Sequence, residues 1–228
     1  MRPELRHFGT GRHPVVVIDE FTGRLEEILA IAEEVAPFPA AAGNYYPGLR
    51  RLIDRSDAAA EAYVERTCED AGQFIAGAFD FTEFDLLEAS FSMVTVPPSE
   101  LALRQRAPHF DSTDPGYLAL LHYLRVPDGS GTAFYRQRST GIERVTALNA
   151  STFAPVAQLQ AAELPAGSGY ITGSDSFYEQ IGAVEAVPDR LVIYQGSLLH
   201  SGIIPDGMTL SADPREGRLT ANIFVRGH

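Results

Sequence analysis

The stretch PHFDSTDPGYLALLHYLRV, residues 108–126, is the part of the sequence that decides the fold. The unit His109-Phe110-Asp111 is followed by a turn rich in Asp, Pro and Gly, and then by an apolar run that is typical of a buried strand. Because alternate residues of an extended segment point to the same face, His109 and Asp111 can bind one ion together while Phe110 faces away. The stretch therefore contains a candidate two-ligand metal-binding unit at the entrance to a strand.

Similar short runs, separated by Pro and Gly, lie on both sides of this stretch. We predict strands in the segments LLEASFSMVTV, ELALRQR, YLALLHYLRV, TAFYRQR, RLVIYQG and RLTANIFVRG. Several short strands at this spacing favour a barrel or a sandwich with helices packed outside it.

The first third of the chain has a mainly helical pattern. After one β-branched strand at Val15–Ile18, apolar residues recur at helical spacing from a candidate cap at Thr22 to the helix-breaking Pro37. The same periodicity predicts a second helix from Ser56 to about Phe79.

Composition also indicates loops and a domain organisation. The segment Asn44–Arg50 (NYYPGLR) is a turn-rich aromatic loop, whose composition suits a lid or a packed turn equally well. Residues 147–180 contain a candidate helix, NASTFAPVAQLQAAEL, followed by a loop. We expect a single domain, 1–228, in which residues 1–85 are a helical support region and residues 86–228 are the β-rich catalytic core.

The charge composition excludes several classes of function. The formal net charge is −12, and the sequence has no lysine, so all 18 basic residues are arginine. Schiff-base, P-loop and kinase-type lysines are therefore excluded. The acidic balance also disfavours sequence-independent nucleic-acid binding, which relies on a basic surface, and we expect no nucleic-acid partner.

The cysteine and hydropathy patterns bear on the cellular compartment of the protein. The lone Cys68 cannot form an internal disulfide, and it excludes a multi-cysteine zinc or iron–sulfur site. The sequence has no run of about 18 apolar residues and no apolar signal-peptide core. We expect a cytoplasmic protein with no membrane partner, and the sequence does not indicate an oligomeric state.

Two distant segments contain groups that would complete a site. His200 follows the β-rich run RLVIYQGSLL, which places it at a strand end. A His-x-acid pair is expected about once by chance in this composition, but two histidines and one carboxylate form the facial triad of non-haem Fe(II), with three coordination positions open. Arg218 shares one face of the last predicted strand with Thr220 and Asn222, and a guanidinium beside a hydroxyl suits a carboxylate. Alternatively, these three residues form the solvated polar face of an edge strand.

In this order, the motifs resemble those of the Fe(II)- and 2-oxoglutarate-dependent oxygenases. The matching features are His-x-Asp before an apolar strand, TAFY after a Gly-rich turn, RLVIY followed by a histidine, and Arg-x-Thr on the last strand. The resemblance is closest to the prolyl-hydroxylase-like and phytanoyl-hydroxylase-like branches, and it covers roughly Leu86 to Arg226. It implies a mainly β (α+β) fold, in which N-terminal helices pack on a double-stranded β-helix, the cupin-like jelly-roll core.

The resemblance also implies the metal ligands and the reaction. The residues that would bind Fe(II) are His109, Asp111 and His200. The implied enzyme uses O2, decarboxylates 2-oxoglutarate to succinate and CO2, and hydroxylates a small-molecule, amino-acid or peptidyl substrate. The aspartate favours hydroxylation over halogenation, because a halogenase of this type needs that coordination position for chloride.

For the cosubstrate, the resemblance implies that Arg218 pairs with the C5 carboxylate of 2-oxoglutarate. Thr220 would be its hydroxyl partner. Tyr117 and Tyr123, which share one face of their predicted strand, are alternative contacts for the same molecule.

Other functions remain open from the residues alone. The protein could be a metal-binding or ligand-binding jelly-roll without turnover, or a cupin-type enzyme that uses O2 without 2-oxoglutarate. Cupin sites usually contain three or more histidines, and His122 is the candidate for the third. Since leucines surround His122 in its strand, a buried core histidine is the more typical interpretation. Four arginines are candidates for a substrate-anion site, or for ordinary surface residues: Arg104, Arg106, Arg136 and Arg138.

Overall fold

The structure, a computed structural model, describes residues 1–43, 46–165 and 167–228. Within these ranges it contains three α-helices, ten strands and two short 3-10 helices, so the protein is mainly β. The α-helices are α1 (Leu25–Glu34), α2 (Ala58–Phe79) and α3 (Ala150–Glu163). The strands are β1 (Arg2–Phe8), β2 (His13–Asp19), β3 (Gly48–Leu52), β4 (Phe84–Val94), β5 (Tyr117–Arg125), β6 (Gly131–Gln137), β7 (Tyr178–Glu185), β8 (Arg190–Gln195), β9 (His200–Ile203) and β10 (Leu219–Gly227).

The described strands form two antiparallel sheets, neither of which is closed. The larger sheet has the order β1-β2-β8-β5-β10-β4-β3, and the smaller has the order β7-β6-β9. An apolar layer lies between the sheets, and it includes Val17, Tyr123, Phe134, Val184 and Tyr194. The two sheets therefore face each other across a shared core.

Helices cover the outer faces of both sheets. In α2, the side chains of Tyr63, Val64, Ala71 and Ile75 are buried against the larger sheet, as their helical spacing predicts. Helix α3 packs on the smaller sheet through Phe153. None of the helices in the described ranges combines the length and the apolar character needed to cross a bilayer.

The strand prediction is wrong in the segment ELALRQR. This segment and the prolines before it form two 3-10 helices, Pro98–Glu100 and Leu103–Arg106. Pro97 and Pro98 lack the backbone N–H that a sheet requires, and this favours the helical turns over a strand.

The mainly helical interpretation of the first third is also incomplete, because three of its segments are strands. Strand β1 is an edge strand whose side chains are mostly exposed, so it has no apolar pattern by which it could be recognised. Thr22 is not the cap of α1, whose N-cap is Arg24; instead, Thr22 donates its hydroxyl to Asp189 at 2.6 Å.

The two segments left open by the sequence have different outcomes. In the loop Asn44–Arg50, Asn44 and Tyr45 lie outside the described residues, so a lid there stays a prediction. The prediction that the loop extends to Arg50 is wrong, because β3 begins at Gly48. The candidate helix after residue 147 is confirmed as α3.

Candidate metal centre

Backbone hydrogen bonds fix the segment of His109 and Asp111 against β9 and the turn that precedes it. The His109 N–H donates to the His200 carbonyl at 2.9 Å, and the His200 N–H donates to the His109 carbonyl at 2.8 Å. The Asp111 N–H donates to the Gly196 carbonyl at 2.7 Å. This bridge places the two imidazoles side by side, with ring centroids 4.4 Å apart.

The position of His200 differs from its predicted place at the end of a strand. Strand β8 ends at Gln195, and a turn that begins at Gly196 separates it from His200, the first residue of β9. The turn transfers the chain from the larger sheet to the smaller one, and this brings His200 to the His-x-Asp segment.

The ligand atoms of the three residues converge. Nε2 of His109 lies 3.9 Å from Oδ1 of Asp111, and Nε2 of His200 lies 3.7 Å from Oδ2 of Asp111. Both distances are too long for hydrogen bonds, and all the ligand atoms lie within 4.8 Å of one another. The described residues contain no other such cluster of three or more His, Cys, Asp or Glu side chains. The spacing suits a cation held by two imidazoles and one carboxylate.

The protonation of the three groups also suits a cation. Nδ1 of His200 lies 2.8 Å from the Leu198 carbonyl, which can only accept, so Nδ1 carries the hydrogen and Nε2 keeps its lone pair for the site. Burial lowers the pKa of His200 to about 4. For His109, whose side chain is partly exposed, partial desolvation and the neighbouring His200 also lower the pKa below its usual value. Burial raises the pKa of Asp111 to about 6, against the opposing charges of His109 and Arg50. Near pH 7 the imidazoles are therefore neutral and most of the carboxylate is charged.

The side chains around the cluster leave it accessible from one side. The His109 side chain is 45% exposed and that of His200 is 6% exposed, so the opening lies beside His109. Phe110 points away from the cluster and packs against Phe153 of α3, with ring centroids 5.8 Å apart. The prediction that Phe110 faces away from its two neighbours is confirmed.

Arg218 is a buried cation without an anionic partner among the described residues. It is 5% exposed, its Nε has no hydrogen bond, and its guanidinium carbon lies 5.9 Å from the ring centroid of Tyr123. Burial raises the pKa of Tyr46, Tyr123 and Tyr170, and the charge of Arg218 opposes this rise in all three. The hydroxyl of Tyr46 is also buried without a partner in the described ranges. An unpaired buried guanidinium is costly, so this site is suited to an anionic ligand.

The structure separates the other predicted cosubstrate residues into two groups. Thr220 is buried in β10, where it pairs with Tyr123 of β5. Tyr123 therefore lies with Arg218 and Thr220. Tyr117 instead lies beside Asp111: a Cβ at Gly196 would approach the Tyr117 ring to 2.6 Å and the Cβ of Asp111 to 3.2 Å. The sequence did not indicate Tyr46 or Tyr170, because neither lies in a strand whose alternation could orient it.

His122 is a core histidine, as its leucine neighbours predict. It is fully buried, with Nδ1 2.7 Å from the hydroxyl of Tyr63 and Nε2 3.0 Å from Oδ1 of Asp189. Because both ring nitrogens have these partners, His122 does not complete a three-histidine site.

The structure shows protein partners for three of the candidate anion-binding arginines. The guanidinium of Arg106 donates to the Leu101 carbonyl, and that of Arg138 donates to the Asp175 carbonyl. Arg136 forms ion pairs with Glu143 and Glu179.

Glu143 supports the segment that carries His200. The Glu143 carboxylate accepts the backbone N–H groups of Thr10 and Gly11, while its carbonyl accepts the N–H of Leu199 at 2.8 Å. Burial alone would raise the pKa of Glu143, but these N–H groups and the Arg136 guanidinium lower it to about 2.

The free energy of unfolding should therefore depend on pH through Glu143. Since the folded-state pKa lies below the unfolded value, the contribution is fully present above about pH 5 and is lost as the pH falls toward 2; its size is about 3 kcal/mol. Urea titrations between pH 2 and 7 should show Glu143→Gln destabilised at pH 7 but close to the wild type at pH 2. An equal destabilisation at both pH values would contradict this assignment.

Comparisons with known proteins are consistent with this architecture. Residues 1–225 match the model of a family described as "Family of unknown function (DUF6445)". No curated protein matches the chain. Several solved structures share the fold at low sequence identity.

Three of these structures illustrate the similarity. A Pseudomonas putida prolyl-4-hydroxylase has 16% identity and a TM-score of 0.52, with 95% of this chain and 94% of that chain covered. AviO1 from Streptomyces viridochromogenes Tue57 has 16% identity and a TM-score of 0.52, with coverages of 97% and 90%. The epimerase SnoN, solved in complex with Fe3+, alpha ketoglutarate and nogalamycin RO, has 15% identity and a TM-score of 0.51, with coverages of 95% and 80%.

Proposed function

We propose that this chain, which belongs to the family of unknown function DUF6445, is a non-haem Fe(II)- and 2-oxoglutarate-dependent oxygenase that hydroxylates a small-molecule, amino-acid or peptidyl substrate. The observation that carries the proposal is the presence of two complementary sites beside one apolar layer. His200 contacts Tyr194 of that layer, with ring centroids 4.8 Å apart, and Arg218 lies over Tyr123 of the same layer. We infer that a dicarboxylate with a 2-oxo group would bridge the two sites.

The metal would be held by the two histidines and the aspartate. His109, Asp111 and His200 supply two neutral nitrogens and one charged oxygen, the ligand set that Fe(II) takes with three positions left open. When bound, iron, 2-oxoglutarate and O2 together supply the oxidant for a substrate C–H bond, with succinate and CO2 as products. The Leu198 carbonyl keeps the His200 ring oriented for this role.

The cosubstrate would be held by Arg218. Its guanidinium would pair with the distal carboxylate, and this would satisfy the Nε that lacks a partner among the described residues. Tyr123 lies beside the Arg218 guanidinium, and Thr220 is paired with Tyr123 across the two strands. Both residues would orient the distal carboxylate. The alternation of β10 keeps these polar groups away from the helix-covered face, to which Leu219 and Ala221 point.

The same proposal extends to the architecture. The two facing antiparallel sheets would be the halves of a double-stranded β-helix, in one domain that spans residues 1–228. The similar folds of a prolyl-4-hydroxylase and of SnoN, the latter solved with Fe3+ and alpha ketoglutarate, support both the fold and the cofactors. A cupin-type site with three histidines is disfavoured, because His122 is bonded to Tyr63 and Asp189.

The test is the anaerobic addition of Fe(II) and 2-oxoglutarate to metal-free protein. We expect a weak visible charge-transfer band in the wild type, no band in His200→Ala, and a band in Arg218→Ala only at much higher 2-oxoglutarate concentration. His7→Ala is the control, because His7 is exposed on β1. Bound iron with no band at any 2-oxoglutarate concentration would contradict the cosubstrate and leave a metal-binding jelly-roll.

A further inference from the structure

One part of the surface between the sheets is polar rather than apolar. Among the described residues, the apolar layer between the sheets includes members from β2, β5, β6, β7 and β8 but none from β3 or β4. On β3, β4 and the adjoining β10, polar side chains take the corresponding positions. We call them the polar row: Arg50, Glu88, Ser90, Ser92 and Asn222.

An ion pair forms one end of the polar row. Nη2 of Arg50 donates to Oε1 of Glu88 at 2.6 Å, and Nε of Arg50 donates to Oγ of Ser90 at 2.9 Å. The guanidinium lies 5.5 Å from the ring centroid of Phe224. Within the described ranges, Nη1 of Arg50 and Oε2 of Glu88 have no partner. The ion pair therefore leaves one donor nitrogen of Arg50 and one acceptor oxygen of Glu88 available to a ligand.

This ion pair lies close to the metal centre. Phe224, under the Arg50 guanidinium, packs against Tyr117, with ring centroids 5.4 Å apart, and Tyr117 is the side chain beside Asp111. The Arg50 side chain is 25% exposed and that of Glu88 is 42% exposed, so a ligand can reach both.

We propose that Arg50 and Glu88 recognise the primary substrate, and that this substrate carries a carboxylate and an ammonium group on the same carbon atom, as a free α-amino acid does. The proposal rests on the oxygenase function and specifies its substrate class. Arg50 binds the carboxylate, and Glu88 binds the ammonium group. The ligand's side chain then extends past Phe224 toward the metal centre.

The charges of the site favour this class over others. An anionic ligand alone would bind Arg50 but would face Glu88 and Asp111, and a cationic ligand alone would face Arg50. A neutral ligand gains only ordinary hydrogen bonds, in exchange for those of the water that it displaces. A zwitterion replaces the single Arg50–Glu88 ion pair with two ion pairs, because its carboxylate meets Arg50 and its ammonium group meets Glu88.

The experiment is calorimetric titration of each of the twenty free L-amino acids into the anaerobic Fe(II)–2-oxoglutarate complex of the protein. We expect at least one amino acid to bind, and we expect its N-acetyl and C-amide forms, each of which lacks one charge, to bind at least tenfold more weakly. Arg50→Gln and Glu88→Gln should weaken binding by the same order. Arg51→Gln is the matched control: Arg51 lies next to Arg50 on β3 but pairs with Asp57, and its replacement should leave binding unchanged.

The outcomes separate this proposal from the oxygenase function. If the Fe(II)–2-oxoglutarate complex forms but none of the twenty amino acids binds, or if the capped forms bind equally well, the zwitterion proposal is overturned and the oxygenase function stands. If the complex does not form, the oxygenase function fails, and the same titration on metal-free protein then decides whether Arg50 and Glu88 bind a zwitterion.

Discussion

Replacing Arg218 with methionine is expected to abolish stabilisation by 2-oxoglutarate without destabilising the free protein. In the free protein the guanidinium is buried without an anionic partner among the described residues, so an apolar side chain of similar length removes an unpaired charge. In the complex, loss of one partner of a buried charge pair costs about 2–5 kcal/mol, which weakens the binding of 2-oxoglutarate roughly 30- to 4,000-fold.

Thermal unfolding measures both effects. A ligand at 100 times its Kd adds about 2.7 kcal/mol, which corresponds to a rise in Tm of about 5–10 °C for a chain of this size. The wild type should show this rise with metal and 2-oxoglutarate, and Arg218→Met should lose it while its own Tm is unchanged or higher. Arg226→Met is the control, since Arg226 is 61% exposed on β10, the strand that begins directly after Arg218, and pairs with Asp114. A full ligand-induced shift in Arg218→Met would refute the assignment.

Replacing Asp111 with alanine is expected to abolish iron binding and turnover. Asp111 is the one carboxylate of the cluster, and without it two neutral imidazoles remain, which do not offset the charge of Fe(II). Loss of a residue that only supports a ligand typically costs 10- to 100-fold in metal affinity, so loss of the ligand itself should cost at least about 100-fold.

The measurements are iron content after dialysis and succinate formation from 2-oxoglutarate. Asp114→Asn is the matched control, because Asp114 lies in the same segment and accepts the Gly116 N–H, a bond that asparagine can keep. The control should retain iron, while Asp111→Ala should lose it with its fold intact. Full turnover in Asp111→Ala would exclude the proposed metal centre.

The local sequence pattern was sufficient to predict the helices and strands that bury one face. Helix α2 follows from apolar residues at helical spacing, since this spacing aligns Tyr63, Ala71 and Ile75 on the side that packs on the larger sheet. In β10, strict alternation directs Leu219 and Ala221 to the helices. The same alternation in the His-x-Asp segment explains why Phe110 packs on α3 and leaves its two neighbours for the cluster.

By itself, the sequence determined which residue types face each way, and the tertiary structure decided which distant segments meet. Strand β1 has mostly exposed side chains and is held by its pairing with β2, so no hydrophobic pattern indicates it. The meeting of His200 with His109 depends on a turn that moves the chain between sheets, and the environment of Arg218 depends on tyrosines from two loops. Backbone hydrogen bonds and register fix these contacts, and neither leaves a periodic signal in the linear sequence.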